Sequence, residues 1–202
     1  MNKYHSLFAS VLLTLMLISC GSQPEKTPKP HMYPRVIFPQ KHYVSFDQAK
    51  CNMTFEYPDY MAFEQDTNFF EEKPLDPCWF DLEAKGLMAS LHFSYYPIQN
   101  RARFDELVTD VFKLVGEHNI KANYRNEQII DNADQNVHGL YFEIEGAVAS
   151  PLQFYLSDST RNFVRASLYF NSKVNADSTK IVYDFIKQDV DRMIETWKWT
   201  NQ

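Results

Sequence analysis

Leu152-Gln153-Phe154-Tyr155-Leu156 and Phe163-Val164-Arg165-Ala166-Ser167-Leu168-Tyr169-Phe170 are two apolar runs of strand length. Between them stands Ser157-Asp158-Ser159-Thr160-Arg161-Asn162, made almost wholly of turn formers. Two strand-like runs around such a connector predict an antiparallel pair. The sequence on either side extends the pattern. Gly139 to Glu145 and Gln128 to Ile130 return strand patterning, with Asp131 to Asn136 as a polar hairpin between them. Leu87 to Tyr95 alternates: Leu87, Ala89, Leu91, Phe93 and Tyr95 share one face, and Pro97 ends the run. Val36 to Phe38, Tyr43 to Phe46, Met53 to Tyr57 and Trp79 to Leu82 are shorter strand candidates.

Two segments change period. Phe104, Leu107, Val108, Val111, Phe112 and Val115 recur every three or four residues, which is one helical stripe over Arg103 to Gly116. Ile181, Val182, Phe185, Ile186, Val190, Met193, Ile194 and Trp197 do the same near the end, with Asn175 or Asp177 as candidate cap. Strands in consecutive runs with two long helices predict an α+β domain, a mainly antiparallel sheet with both helices packed on it.

The chain of 202 residues is long enough for one ordinary core. Gly21, Gly86, Gly116, Gly139 and Gly146 fall at none of the spacings of a dinucleotide or phosphate loop. A net charge of -6 disfavours nucleic acid as a partner.

The beginning reads as an address. Lys3 precedes an apolar stretch, Leu7 to Ile18, that ends in Leu17-Ile18-Ser19-Cys20. The stretch is shorter than the roughly 20 residues a membrane span needs, and its layout is that of an export signal. Leu-Ile-Ser-Cys resembles a bacterial lipobox, in which the cysteine takes a diacylglycerol, the leader is removed, and the new amine is acylated, with palmitate as a typical chain. Cys20 is therefore the candidate lipid-attachment residue, and residues 1–19 the candidate signal peptide. More than one acyl chain makes such an anchor lasting. Residues 20–34 carry Pro24, Pro28, Pro30 and Pro34 among polar residues, a composition that favours an extended tether. One globular domain is expected over 35–202.

Catalytic constellations are not evident. His31, His42, His92, His118 and His138 are scattered and make no close zinc pair. There is no G-x-S-x-G elbow. Glu143 with Glu145, and Asp189 with Asp191, are paired carboxylates for which solvated faces are the simpler reading. We expect no metal, no cofactor and no catalytic residue. Cys51 and Cys78 are the candidate disulfide of an exported chain, with two buried free thiols as the alternative. Closing a loop of 27 residues would stabilise by about 3.5 kcal/mol. The aromatic share is 15%, and clusters such as Phe69-Phe70, Trp79-Phe80, Tyr95-Tyr96, Trp197 and Trp199 are expected to be mostly core.

The chain resembles the gliding motility lipoprotein GldD family. The resemblance is carried by Cys51-Asn52-Met53-Thr54-Phe55-Glu56-Tyr57-Pro58, Pro77-Cys78-Trp79-Phe80 and Glu117-His118-Asn119-Ile120-Lys121-Ala122. It continues through Ala149 to Ser159, Ala166 to Phe170, and Asp189 to Thr196. Asn123 and Asn162 stand where other polar residues would be expected. The resemblance implies an envelope lipoprotein required for gliding motility and coupled to type IX secretion. Its partners would be other envelope proteins of those systems and the membrane, through the anchor. The order of elements also resembles the PsbP-type α/β/α sandwich. Lipoproteins of gliding bacteria sent to the cell surface tend to carry an acidic cluster after the lipidated cysteine. Here Glu25 stands alone, which favours the periplasmic face.

Two functions compete on this reading. One is a non-enzymatic adaptor or assembly factor, with Asp158, Ser159 and Arg161 in the polar turn and Glu117, His118 and Lys121 beside the first helix as candidate partner contacts. The other is an envelope hydrolase or small-ligand binder, which requires a deep pocket gathering a histidine and a carboxylate with perturbed pKa values.

Overall fold

The computed structural model describes residues 36–66, 74–117, 122–171 and 176–200, with side chains of the last segment from 179 onward. All of these belong to the second of two units, Arg35–Gln202.

The β8 strand (Leu152–Ser157) and β9 (Asn162–Phe170) pair antiparallel as their sequence predicts, with Phe154 opposite Ala166. They form the centre of a seven-stranded sheet. Its order is β3 (Ala62–Gln65), β4 (Phe80–Ala84), β5 (Ala89–Pro97), β9, β8, β7 (Val137–Gly146) and β6 (Ala122–Asn132). Every neighbouring pair is antiparallel. A smaller antiparallel sheet joins β1 (Tyr43–Asp47), β2 (Met53–Pro58) and β10 (Lys198–Trp199). Among the described residues two long helices, α1 (Arg101–Glu117) and α2 (Ala176–Glu195), complete the α+β architecture.

Strand alternation sends side chains to opposite faces, and this builds two cores. On one face Leu91, Phe93, Phe154, Leu156, Val164 and Leu168 meet Val182, Ile186, Val190 and Met193 of α2 together with the small sheet. On the other, Phe142, Ile144, Tyr155 and Phe163 receive Leu107, Val111 and Val115 of α1. The first core is largely aromatic. Phe46 stacks on Phe55 and Phe80, Phe80 on Phe93, and Phe55 on Trp197, all with centroids 4.6–4.7 Å apart. Stacked rings add to the area they bury, so the stack ties the small sheet to the large one. Gly139 lets β7 approach β8: a Cβ there would lie 1.9 Å from the Tyr155 carbonyl oxygen.

The elements differ from the sequence reading where side chains are polar or chain ends intervene. The strand expected at Gln128–Ile130 runs from Ala122 to Asn132. It is the sheet's edge, so most of its side chains stay exposed and leave no apolar period. Val36–Phe38 is not a strand. Pro39 follows it, and Phe38 instead stacks on Phe185 of α2 at 4.5 Å. Leu87 closes a 3-10 turn over Lys85–Leu87, Met88 takes a left-handed φ of 51°, and the strand begins at Ala89. The short β3 and β10 were not expected. Trp197 lies just past the end of α2, fully buried. The candidate cap Asn175 and the pair Phe69-Phe70 fall outside the described residues, and Asp177 lies within α2.

Candidate functional site

The first half of α2 stands over the ends of β6 and β7 and leaves a groove of about 460 Å³. Its walls include Tyr124 and Asn126 from β6, Glu143 from β7, and Lys180, Tyr183 and Lys187 from α2. Three of these side chains form one network. Lys187 Nζ lies 2.8 Å from Glu143 Oε1, and the Tyr183 hydroxyl donates to the same oxygen at 2.7 Å. Gln128 Nε2 donates to the other carboxylate oxygen at 3.2 Å. Lys187 also lies 4.7 Å from the centre of the Tyr141 ring, a cation–π distance.

Electrostatics follow the geometry. Burial pushes the Glu143 carboxyl up, but the hydrogen bonds from Lys187 and Tyr183 and the lysine charge outweigh it and hold the group below the usual carboxylate range. Burial, then the hydrogen bond to Glu143, keeps the Tyr183 phenol protonated far above its ordinary range. Burial does the same for Tyr141. Glu143 is thus a partnered carboxylate rather than half of a pair with Glu145, because α2 supplies the countercharge. The groove holds no histidine among the described residues. His92 and His138 lie elsewhere, within 2.6 Å of Asp81 and 2.8 Å of Asp131. No group of three potential metal ligands gathers among the described residues.

The candidate contact residues do not form one patch. Asp158 is buried and its carboxylate is turned inward: Oδ1 accepts from the amides of Thr160, Arg161 and Asn162 at 2.9, 2.7 and 2.9 Å. Its Oδ2 accepts from Asn162 Nδ2 at 2.7 Å. Ser159 and Arg161 are exposed at the tip, and Ser159 has a φ of 63°. The Arg161 carbonyl accepts from Ile98 N, just before α1 begins, whereas exposed Glu117 ends that helix. Seventeen helical residues put these two places about 25 Å apart. His118, Lys121 and the candidate lipid site Cys20 lie outside the described residues. Cys51 and Cys78 are joined as a disulfide, with Cα atoms 5.2 Å apart, beside the aromatic core.

Sequence reasoning missed the strongest polar site on α2. Asp189 is fully buried, not on a solvated face. Its Oδ1 accepts from the Tyr43 hydroxyl at 2.7 Å and lies 3.0 Å from Lys41 Nζ, while Tyr60 donates to Oδ2. Lys41 also donates to the Phe185 carbonyl at 2.7 Å. The signal was present: Asp189 follows Ile186 by three residues and so sits in the apolar stripe.

Among the described residues, no helix is long and apolar enough to cross a membrane. Residues 23–199 match the family described as gliding motility lipoprotein GldD. The chain is also similar to the solution structure of cyanobacterial PsbP (CyanoP) from Synechocystis sp. PCC 6803. Identity is 11% and the TM-score 0.49, over 89% of this chain and 98% of that one. No curated protein matches.

Proposed function

The chain belongs to the gliding motility lipoprotein GldD family, and from that premise we propose that it is a lipid-anchored, periplasm-facing adaptor or assembly factor. It docks another envelope protein of the gliding and type IX secretion apparatus, and it does so without catalysis. Cys20 carries the lipid, and residues 20–34 hold the domain over 35–202 away from the membrane.

The observation that carries this reading is the groove between α2 and the β6–β7 edge. It is large enough to take side chains of a partner, and its rim offers Tyr124, which is 59% exposed, beside Asn126 and Lys180. Exposed aromatics beside polar groups are typical anchors of protein contacts. Its floor is already neutralised by Glu143, Lys187 and Tyr183. A carboxylate held ionised between a lysine and a tyrosine is poor at proton transfer near neutral pH, which favours docking over hydrolysis. The adaptor also uses Ser159 and Arg161, whose amides are held by Ser157 Oγ and Asp158 Oδ1.

The test is a pair of substitutions at the rim that leave the Glu143, Lys187 and Tyr183 contacts of the floor in place. Tyr124→Arg together with Lys180→Ala is expected to leave the folded protein and its membrane level unchanged while stopping gliding and type IX secretion. Normal motility and secretion in that strain would refute docking through the groove.

A further inference from the structure

The larger sheet has two ends of different kinds. β3 closes one with four residues. β6 closes the other with eleven, and among them are no lysine and no proline. Natural sheets usually blunt an exposed edge with shortness, charge, proline or a bulge, because unpaired backbone groups invite another strand. β6 has one register irregularity, between Ala122 and Tyr124, so Tyr124–Asn132 remains regular. Ile129 in that stretch is 82% exposed.

The nine regular residues are centred on Gln128, and they complement themselves. Arg125, Glu127, Ile129 and Asp131 share one face of the sheet, as alternation requires. Suppose two copies of β6 pair antiparallel about a two-fold axis at Gln128. Arg125 of each copy then stands opposite Asp131 of the other. Ile129 stands opposite Glu127 and diagonal to the other Ile129, within the reach at which cross-strand neighbours interact. Glu127 keeps its own countercharge, since Arg125 Nη2 lies 2.8 Å away. Neighbouring registers are worse. Centring on Glu127 sets that carboxylate against itself, and centring on Ile129 sets Glu127 against Asp131. Like charges directly opposite destabilise a strand pair.

We propose that β6 is a homodimerisation edge, through which a second copy of this chain continues the sheet in the register centred on Gln128. The proposal concerns the edge of β6 that no strand among the described residues pairs, and it does not depend on what occupies the groove under α2.

Cysteine scanning of the full-length protein in native membranes tests it, since Cys51 and Cys78 are already bridged to each other. Under mild oxidation Gln128→Cys is expected to give a covalent dimer. Asn126→Cys alone and Ile130→Cys alone give none, but co-expressed they give a mixed dimer. In the purified protein Arg125→Asp weakens dimerisation about tenfold, and adding Asp131→Arg restores it. The proposal is overturned if the protein stays monomeric and uncrosslinked at every position. It is equally overturned if Glu127→Cys crosslinks in preference to Gln128→Cys, or if Gln128→Cys links only to a different protein.

Discussion

Lys187 Nζ stands 2.8 Å from Glu143 Oε1 and so ties the middle of α2 to β7 beneath the groove. The tie has a pH signature. Glu143 has a folded pKa below its ordinary one, with burial opposing and the Lys187 and Tyr183 hydrogen bonds prevailing. Its stabilisation is therefore full above the unfolded carboxylate value, near 4.3, and is lost as pH falls through the lower folded value. Both side chains are partly exposed, at 28% for Lys187 and 22% for Glu143. Glu143→Gln is thus expected to cost about 1 kcal/mol at neutral pH. Urea denaturation at pH 7 and below pH 4 checks it: the gap between variant and wild type should shrink in acid, and a constant gap contradicts the assignment.

Asp189 is more costly to remove. Asp189→Ala leaves Lys41, Tyr43 and Tyr60 without their common acceptor. Breaking one side of a buried, hydrogen-bonded charge costs about 3–5 kcal/mol. Calorimetry should show a large fall in Tm. A fall no larger than that of an exposed control such as Asp184→Ala would contradict this role.

These two carboxylates show what was legible in the sequence. The helical stripe from Val182 to Trp197 and the alternation of Leu87 to Tyr95 expose the core, because burial writes a period into apolar residues, although Ile181, expected in the stripe, is 56% exposed. Edge strand β6 writes none, as solvent accepts any polar side chain there. Glu143 looks solvated from its neighbours alone, since Lys187 arrives from forty-four residues away. Asp189 was readable as a charge inside an apolar stripe, but its partners Tyr43 and Tyr60 come from the other end of the chain. The groove is likewise made by elements far apart in sequence.

The turn Ser157–Asn162 depends on Asp158. Its carboxylate accepts three backbone amides and the Asn162 side chain. Asn162 in turn accepts from the Tyr95 hydroxyl at 2.6 Å. Asp158→Ala is expected to destabilise by about 2–3 kcal/mol, read by denaturant titration. Ser159→Gly should be neutral or stabilising, because the φ of 63° suits glycine. Loss of stability from Ser159→Gly would show that the serine side chain itself matters.

Gly139→Ala tests the packing of β7 on β8. The new methyl would meet backbone, the Tyr155 carbonyl oxygen at 1.9 Å, which cannot swing aside as a side chain would. Destabilisation of at least about 2 kcal/mol is expected. Gly86→Ala, where a Cβ meets nothing within 4 Å, serves as the control. Equal Tm values for the two variants would contradict the close approach.

The central claim, that the groove under α2 receives a partner in the envelope, is tested most directly by site-specific photocrosslinking in intact gliding cells. A photoreactive residue at Asn126 or Lys180 probes the groove, and one at Lys113 on the exposed face of α1 is the control. Mass spectrometry of the adducts should recover an envelope protein of the gliding or type IX secretion apparatus from both groove positions and not from Lys113. Adducts that form equally at Lys113, or none at either groove position, would contradict docking at this site.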